Sequence, residues 1–139
     1  MANLIYASFK EGLGEGLFVL GTDSLKCALL TGAYVPDAGH AVFSDVAGSE
    51  ASGSGYAAGG ATLDGVQWRV TGAAAVLDAG DPVWNEATLT ARYAAIYAAK
   101  TAGEQVNPLV CLLDFGQERG VVGGTFTVTF DASGVLVLE

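Results

Sequence analysis

The chain has 139 residues, 51% of them hydrophobic and 15% charged, with a mean hydropathy of +0.42; that balance excludes a disordered chain and fits one domain, 1–139, that buries its own core. Fifteen acidic residues against six basic ones give a formal charge of -9, which leaves no basic footprint for nucleic acid or for an anionic membrane. No apolar run approaches the roughly 20 residues of a membrane span, and Lys10, Glu11 and Glu15 interrupt the stretch where a secretory signal would need one. A charged fraction this low also implies that a partner covers part of the surface.

In chain order, residues 1–16 read as an N-terminal helix or arm. Asn3 is placed to cap a helix running to Gly12, with Leu4, Ile5, Phe9 and Leu13 at helical spacing, and Gly12, Gly14 and Gly16 end it. Leu17–Leu20 and Leu25–Thr31 are apolar runs bridged by turn residues, the pattern of a hairpin or of neighbouring strands. Residues 34–60 form a long loop containing Pro36-Asp37, a short helical turn at Phe43–Val46 and the Gly/Ser tract 48–55; a loop of that length suits an arm or a binding loop.

Regular alternation returns at residue 66 and predicts a main β body over 61–139, completed by 17–31. Val66, Trp68 and Val70 are expected on the core face, Ala73–Leu77 extends the sheet, and 78–82 is a turn. Thr88–Tyr97 alternates as a strand. Leu109–Phe115 is a continuous apolar run expected to be buried on both faces, and Thr125–Phe130 alternates cleanly. Asp131–Gly134 is a turn signal before a last strand at Val135–Leu138. The whole is mainly β: an antiparallel sandwich or barrel of about eight strands with a short N-terminal helix.

Chemistry is hard to find in this pattern. The single histidine, His40, has no nucleophile or orienting carboxylate at a recognisable spacing. Cys27 and Cys111 sit in strand-like runs and read as buried free thiols. The glycine clusters at 12–16 and 53–60 lack the Lys-Ser or Lys-Thr of a phosphate loop and the strand–helix setting of a dinucleotide fingerprint. Most carboxylates (Asp23, Asp64, Asp78, Asp81, Asp131) fall in turns, where aspartate bonds its own backbone. The expectation is therefore a non-enzyme with no cofactor, no metal and no catalytic residue.

The segments Met1–Leu13, Asp23–Leu30, Tyr34–Asp37, His40–Val46, Ser52–Leu63, Asp81–Trp84, Thr88–Tyr97 and Gly124–Leu136 together resemble small virion proteins of tailed bacteriophages, in order along nearly the whole chain. The resemblance implies a virion structural protein, assembled in the bacterial host cytoplasm, and brings no catalytic residues with it. A capsid decoration (cement) role is the leading expectation; a tail, neck or fibre position is the alternative, and a carbohydrate-binding module a remote one. The implied partners are the major capsid protein or further copies of the chain, for instance as a trimer, with no nucleic acid and no membrane. Aromatic and loop residues are the expected contact points: Tyr6, Phe9, Tyr34, His40, Phe43, Tyr56 and Trp84.

Overall fold

A computed structural model describes residues 3–139. The first strand, β1 (Leu4–Ile5), is followed by the helix α1 (Ala7–Gly14), then β2 (Leu25–Leu30) and two short 3-10 turns at Phe43–Asp45 and Ala47–Ser49. After them come β3 (Ala61–Thr62), β4 (Gln67–Thr71), β5 (Ala74–Asp78), β6 (Val83–Ala98), β7 (Thr101–Ala102), β8 (Gln105–Val106), β9 (Leu109–Thr127) and β10 (Leu136–Leu138). All pairings are antiparallel. They build a five-stranded sheet in the order β1-β9-β6-β2-β3, a three-stranded sheet in the order β10-β5-β4, and the small β7-β8 hairpin. Leu29 and Ile96 of the large sheet and Leu77 and Leu136 of the smaller one belong to one apolar core, so the fold is mainly β and sandwich-like, as the alternation predicted.

The centre of the large sheet is buried on both faces. Cys27–Leu30, Tyr93–Ala98 and Leu109–Leu113 are continuous runs of buried side chains on three adjacent strands. Such runs need cover on each side. On the face carrying Tyr93 and Tyr97 the cover comes from the 34–46 segment: Tyr34 meets Tyr93 edge-on at 5.7 Å, and Phe43 stacks on Tyr97 at 4.5 Å.

β6 and β9 are unusually long because they bend. Between the pairs Ala91–Arg119 and Tyr93–Asp114, two steps along β6 match five along β9, so residues 115–118 bulge out. Gly116 takes φ +85 there, a left-handed geometry that suits glycine, and its N–H donates to Asp114 Oδ1 at 2.8 Å. A further shift near Ala87 coincides with Glu86 at φ 49 and Gly123 at φ +59. The bends carry β9 back far enough for Phe115 to reach Phe126.

Several expected elements move. The helix starts after Tyr6, not at Asn3, because Asn3 N–H donates to the Leu112 carbonyl and Asn3 Oδ1 accepts from the Asp114 N–H, which draws this stretch into the sheet as β1. Residues 17–20 are not a strand: Phe18 and Leu20 turn inward while Val19 N–H donates to Asp23 Oδ2 at 2.9 Å. The two predicted strands at 109–115 and 125–130 are largely one, β9. On β4, Trp68 is half-buried and Val70 is 77% exposed, so the predicted core face there is largely open.

Candidate interaction surface

The seven aromatic and loop residues expected at a partner surface mostly point the other way. Tyr6 and Phe9 are 0% exposed, Tyr34 4% and Trp84 6%. Side chains this deeply buried offer a partner almost nothing to touch on the folded chain, so these four are corrected to core residues. Phe9 packs edge-on against Phe18, and Trp84 lies between Tyr56 and Phe126. Aromatic residues are enriched in cores and interfaces alike, so composition alone could not separate the two. Nor are residues 3–14 a free arm, because β1 pairs with β9 and Tyr6 and Phe9 fill the core.

The half-buried members, His40, Phe43 and Tyr56, are also fastened inward. Tyr6 and Tyr34 hydroxyls lie 3.0 Å apart, Tyr34 Oη is 2.9 Å from His40 Nδ1, and His40 Nε2 faces Asp37 Oδ2 at 4.0 Å. Burial pushes the Tyr34 phenol up from its ordinary range. Asp45 Oδ2 accepts from the Ala41 and Val42 N–H groups, which holds its carboxyl below the usual range.

A second network pins the 50–60 stretch. Tyr56 donates to Glu50 Oε2 at 2.6 Å and accepts from the Leu29 N–H at 2.9 Å; Gly59 N–H donates to the same Glu50 oxygen at 2.7 Å; Tyr97 donates to the Gly59 carbonyl at 2.6 Å. The backbone then runs so close to the sheet that a Cβ on Gly53 would overlap the Thr88 carbonyl oxygen, and one on Gly60 the Cys27 carbonyl oxygen. The Gly/Ser tract expected to reach over a neighbour is thus laid against the chain's own sheet. Sequence reasoning missed Tyr97 because its partner Gly59 lies far along the chain, and missed Glu50 because its partners Tyr56 and Gly59, though near in sequence, follow no regular spacing.

Cys27 and Cys111 are buried free thiols, as read from their runs, and burial pushes both well up from their ordinary range. Both pair in register with Ile96, one from each side, so their Cα atoms stand two strand spacings apart, about 10 Å. Among the described residues no group of three or more His, Cys, Asp or Glu could hold a metal ion. No described helix is long and apolar enough to cross a membrane.

The outward surface carries most of the charged side chains together with a few exposed valines, Val70 and Val122 among them. Among the described residues β4 pairs only with β5, which leaves its far edge open; Val70 on this strand is exposed, and the β4-β5 turn closes at Gly72, φ +63. Among the described residues β9 pairs beyond Asp114 only with β6, and Val122 on this stretch is 89% exposed. A shallow cleft of about 470 Å³ opens beside it, lined by Asn3, Asp114, Phe115, Arg119, Thr127 and Asp131 among others. No family model matches the chain, and no curated protein or solved structure does either.

Proposed function

We propose that this chain is a structural component of a tailed-bacteriophage virion, a capsid decoration protein that acts by packing against the major capsid protein. The observation that carries the reading is the open edge of β4. A bulge-free five-residue edge strand, paired with β5 on one side alone among the described residues and carrying an exposed valine, is a ready acceptor for an added strand from a neighbour. Several polar side chains of the loops, by contrast, are engaged within the chain, Tyr34 with Tyr6 and His40, and Glu50 with Tyr56 and the Gly59 N–H. The resemblance of the sequence to small phage virion proteins supports the same reading.

The carbohydrate-binding alternative needs an exposed tryptophan platform, whereas Trp84 sits in the core and Trp68 is half-buried. The test is co-sedimentation of the purified chain with shells of the major capsid protein from the same phage. The wild type is expected to bind saturably, and Val70→Asp, a change at an exposed site, to bind at least tenfold more weakly, because a charge is placed against an apolar contact. Absence of wild-type binding sinks the decoration role; equal binding by Val70→Asp removes β4 from the contact.

A further inference from the structure

Every aspartate of the chain except Asp64 accepts a hydrogen bond from a backbone N–H. The Asp64 carboxylate accepts none and makes no ion pair among the described residues. Asp64 is also the one aspartate followed by glycine. The pair stands exposed in the bend between β3 and β4, outside any strand. Gly65 takes φ +63, and the nearest atom to a Cβ built there would be Gly80 N at 3.9 Å, so nothing crowds the peptide. The Gly65 N–H donates to no described group. A shallow cleft of about 360 Å³, lined by Thr62, Asp64, Gly80 and Asp81 among others, brings water to the place.

A free carboxyl and a free amide nitrogen in adjacent residues can close a five-membered ring, and glycine puts no Cβ beside the nitrogen to hinder the approach. The step balances. Gly65 N bonds Asp64 Cγ, the carboxyl hydroxyl leaves with the amide proton as water, and a succinimide remains. One water then breaks either C–N bond of the ring. Cleavage at Cγ restores aspartate. Cleavage at the former backbone carbonyl carbon leaves isoaspartate, in which the main chain runs through Cβ and Cγ. No electrons change hands, and the mass returns to its starting value.

The position makes the change structural. The Asp64 carbonyl oxygen accepts from the Gly80 N–H at 2.7 Å, which ties the entry of β4 to the segment leaving β5. In isoaspartate that oxygen belongs to a side-branch carboxylate, and the main chain is one carbon longer. Leu63 N–H bonded to the Leu25 carbonyl on one side, and Gln67 paired with Asp78 on the other, leave the added carbon to be absorbed between them.

We propose that Asp64–Gly65 is a site of spontaneous isoaspartate formation in the folded chain, and that the product breaks the tie to Gly80 at the entry of β4. The site follows from this geometry and does not depend on the virion reading.

The wild type is aged at about pH 5, where part of the carboxyl is protonated and its hydroxyl can leave, with circular dichroism confirming that it stays folded. Peptide mapping by electron-transfer fragmentation should find isoaspartate at position 64 at about tenfold or more over any other aspartate. Asp64→Glu keeps the charge but would have to close a six-membered ring, and should show no such product there. Absence of isoaspartate at position 64, or an equal amount at the other aspartates, would overturn the site. In the aged sample the Gly80 amide of the isoaspartate form should exchange about tenfold faster than that of the unchanged form. Equal protection would overturn the broken tie.

Discussion

The rings of Phe115 and Phe126 lie 6.1 Å apart although both belong to β9. An extended strand would separate positions 115 and 126 by roughly 36 Å. The bulge at 115–118 and the break near Gly123 fold the strand back on itself, so one long β6-β9 pair wraps an aromatic cluster that also takes in Trp84 and Tyr56. Trp84→Ala should therefore cost about 3–5 kcal/mol in denaturant unfolding, the usual loss for a buried large aromatic. A loss below about 1 kcal/mol would mean that the cluster is not packed as described.

Glycine at positions 53 and 60 is dictated by the neighbouring backbone. Both have positive φ, +149 and +82, and both have a carbonyl oxygen where a Cβ would stand. Gly60→Ala is expected to lose about 3 kcal/mol or more. Gly21→Ala, where nothing lies within 4 Å, should change stability by about 0.5 kcal/mol or less. Equilibrium unfolding of the pair checks the close approach of the 50–60 stretch to the sheet.

The stability of the chain should fall in alkali. Burial pushes Cys111 and Tyr97 up to about 12 each, from ordinary values of 9.0 and 10.0. The folded state therefore holds protons that the unfolded state has already released. Their contribution is complete below about pH 9 and disappears as pH rises towards 12. Asp45 works in the opposite sense: its lowered pKa adds stability above the ordinary carboxylate range, which is lost as pH falls through its depressed value. Unfolding followed against pH should show both flanks, and Asp45→Asn should flatten the acidic one.

Cys27 and Cys111 should not cross-link. Ile96 stands between them, and a Cα separation of about 10 Å is beyond disulfide reach. Mild oxidation should leave the mobility of the chain on a non-reducing gel unchanged, and a thiol reagent should label both only as fast as the protein opens. Rapid formation of an intramolecular disulfide would contradict the β2-β6-β9 order.

Removal of residues 2–13 should abolish cooperative folding. The sequence suggested a detachable arm, whereas the described part of this segment supplies β1, buries Tyr6 and Phe9 and carries one end of the Tyr6–Tyr34 link. Circular dichroism and a thermal melt of the truncated chain are sufficient to see it.

The sequence was most legible where patterns are local. The strand at Ala74–Asp78, the run Leu109–Leu113 and the turn Asp131–Gly134 follow from alternation and turn chemistry, and they stand about where expected. It was least legible where distant pairing overrides local preference. Asn3 looks like a helix cap but bonds Leu112 and Asp114 instead. The stretch Gly116–Gly124 looks like a break, yet a partner strand carries it as bulged β9. The aromatic residues were expected at a partner surface, and four of them, Tyr6, Phe9, Tyr34 and Trp84, are core. Their side of the surface was not legible, since an aromatic side chain at a given spacing fits a core as well as an interface.

The central claim is that the chain is a shell-bound structural protein, and its copy number in the particle tests it most directly. Quantitative mass spectrometry of purified virions, normalised to the major capsid protein, should give one copy per capsid subunit or a simple fraction of it. A ratio of a few per cent would place the chain at the neck, tail or fibre, against the decoration role. Absence from the particle would contradict a structural role in the virion altogether.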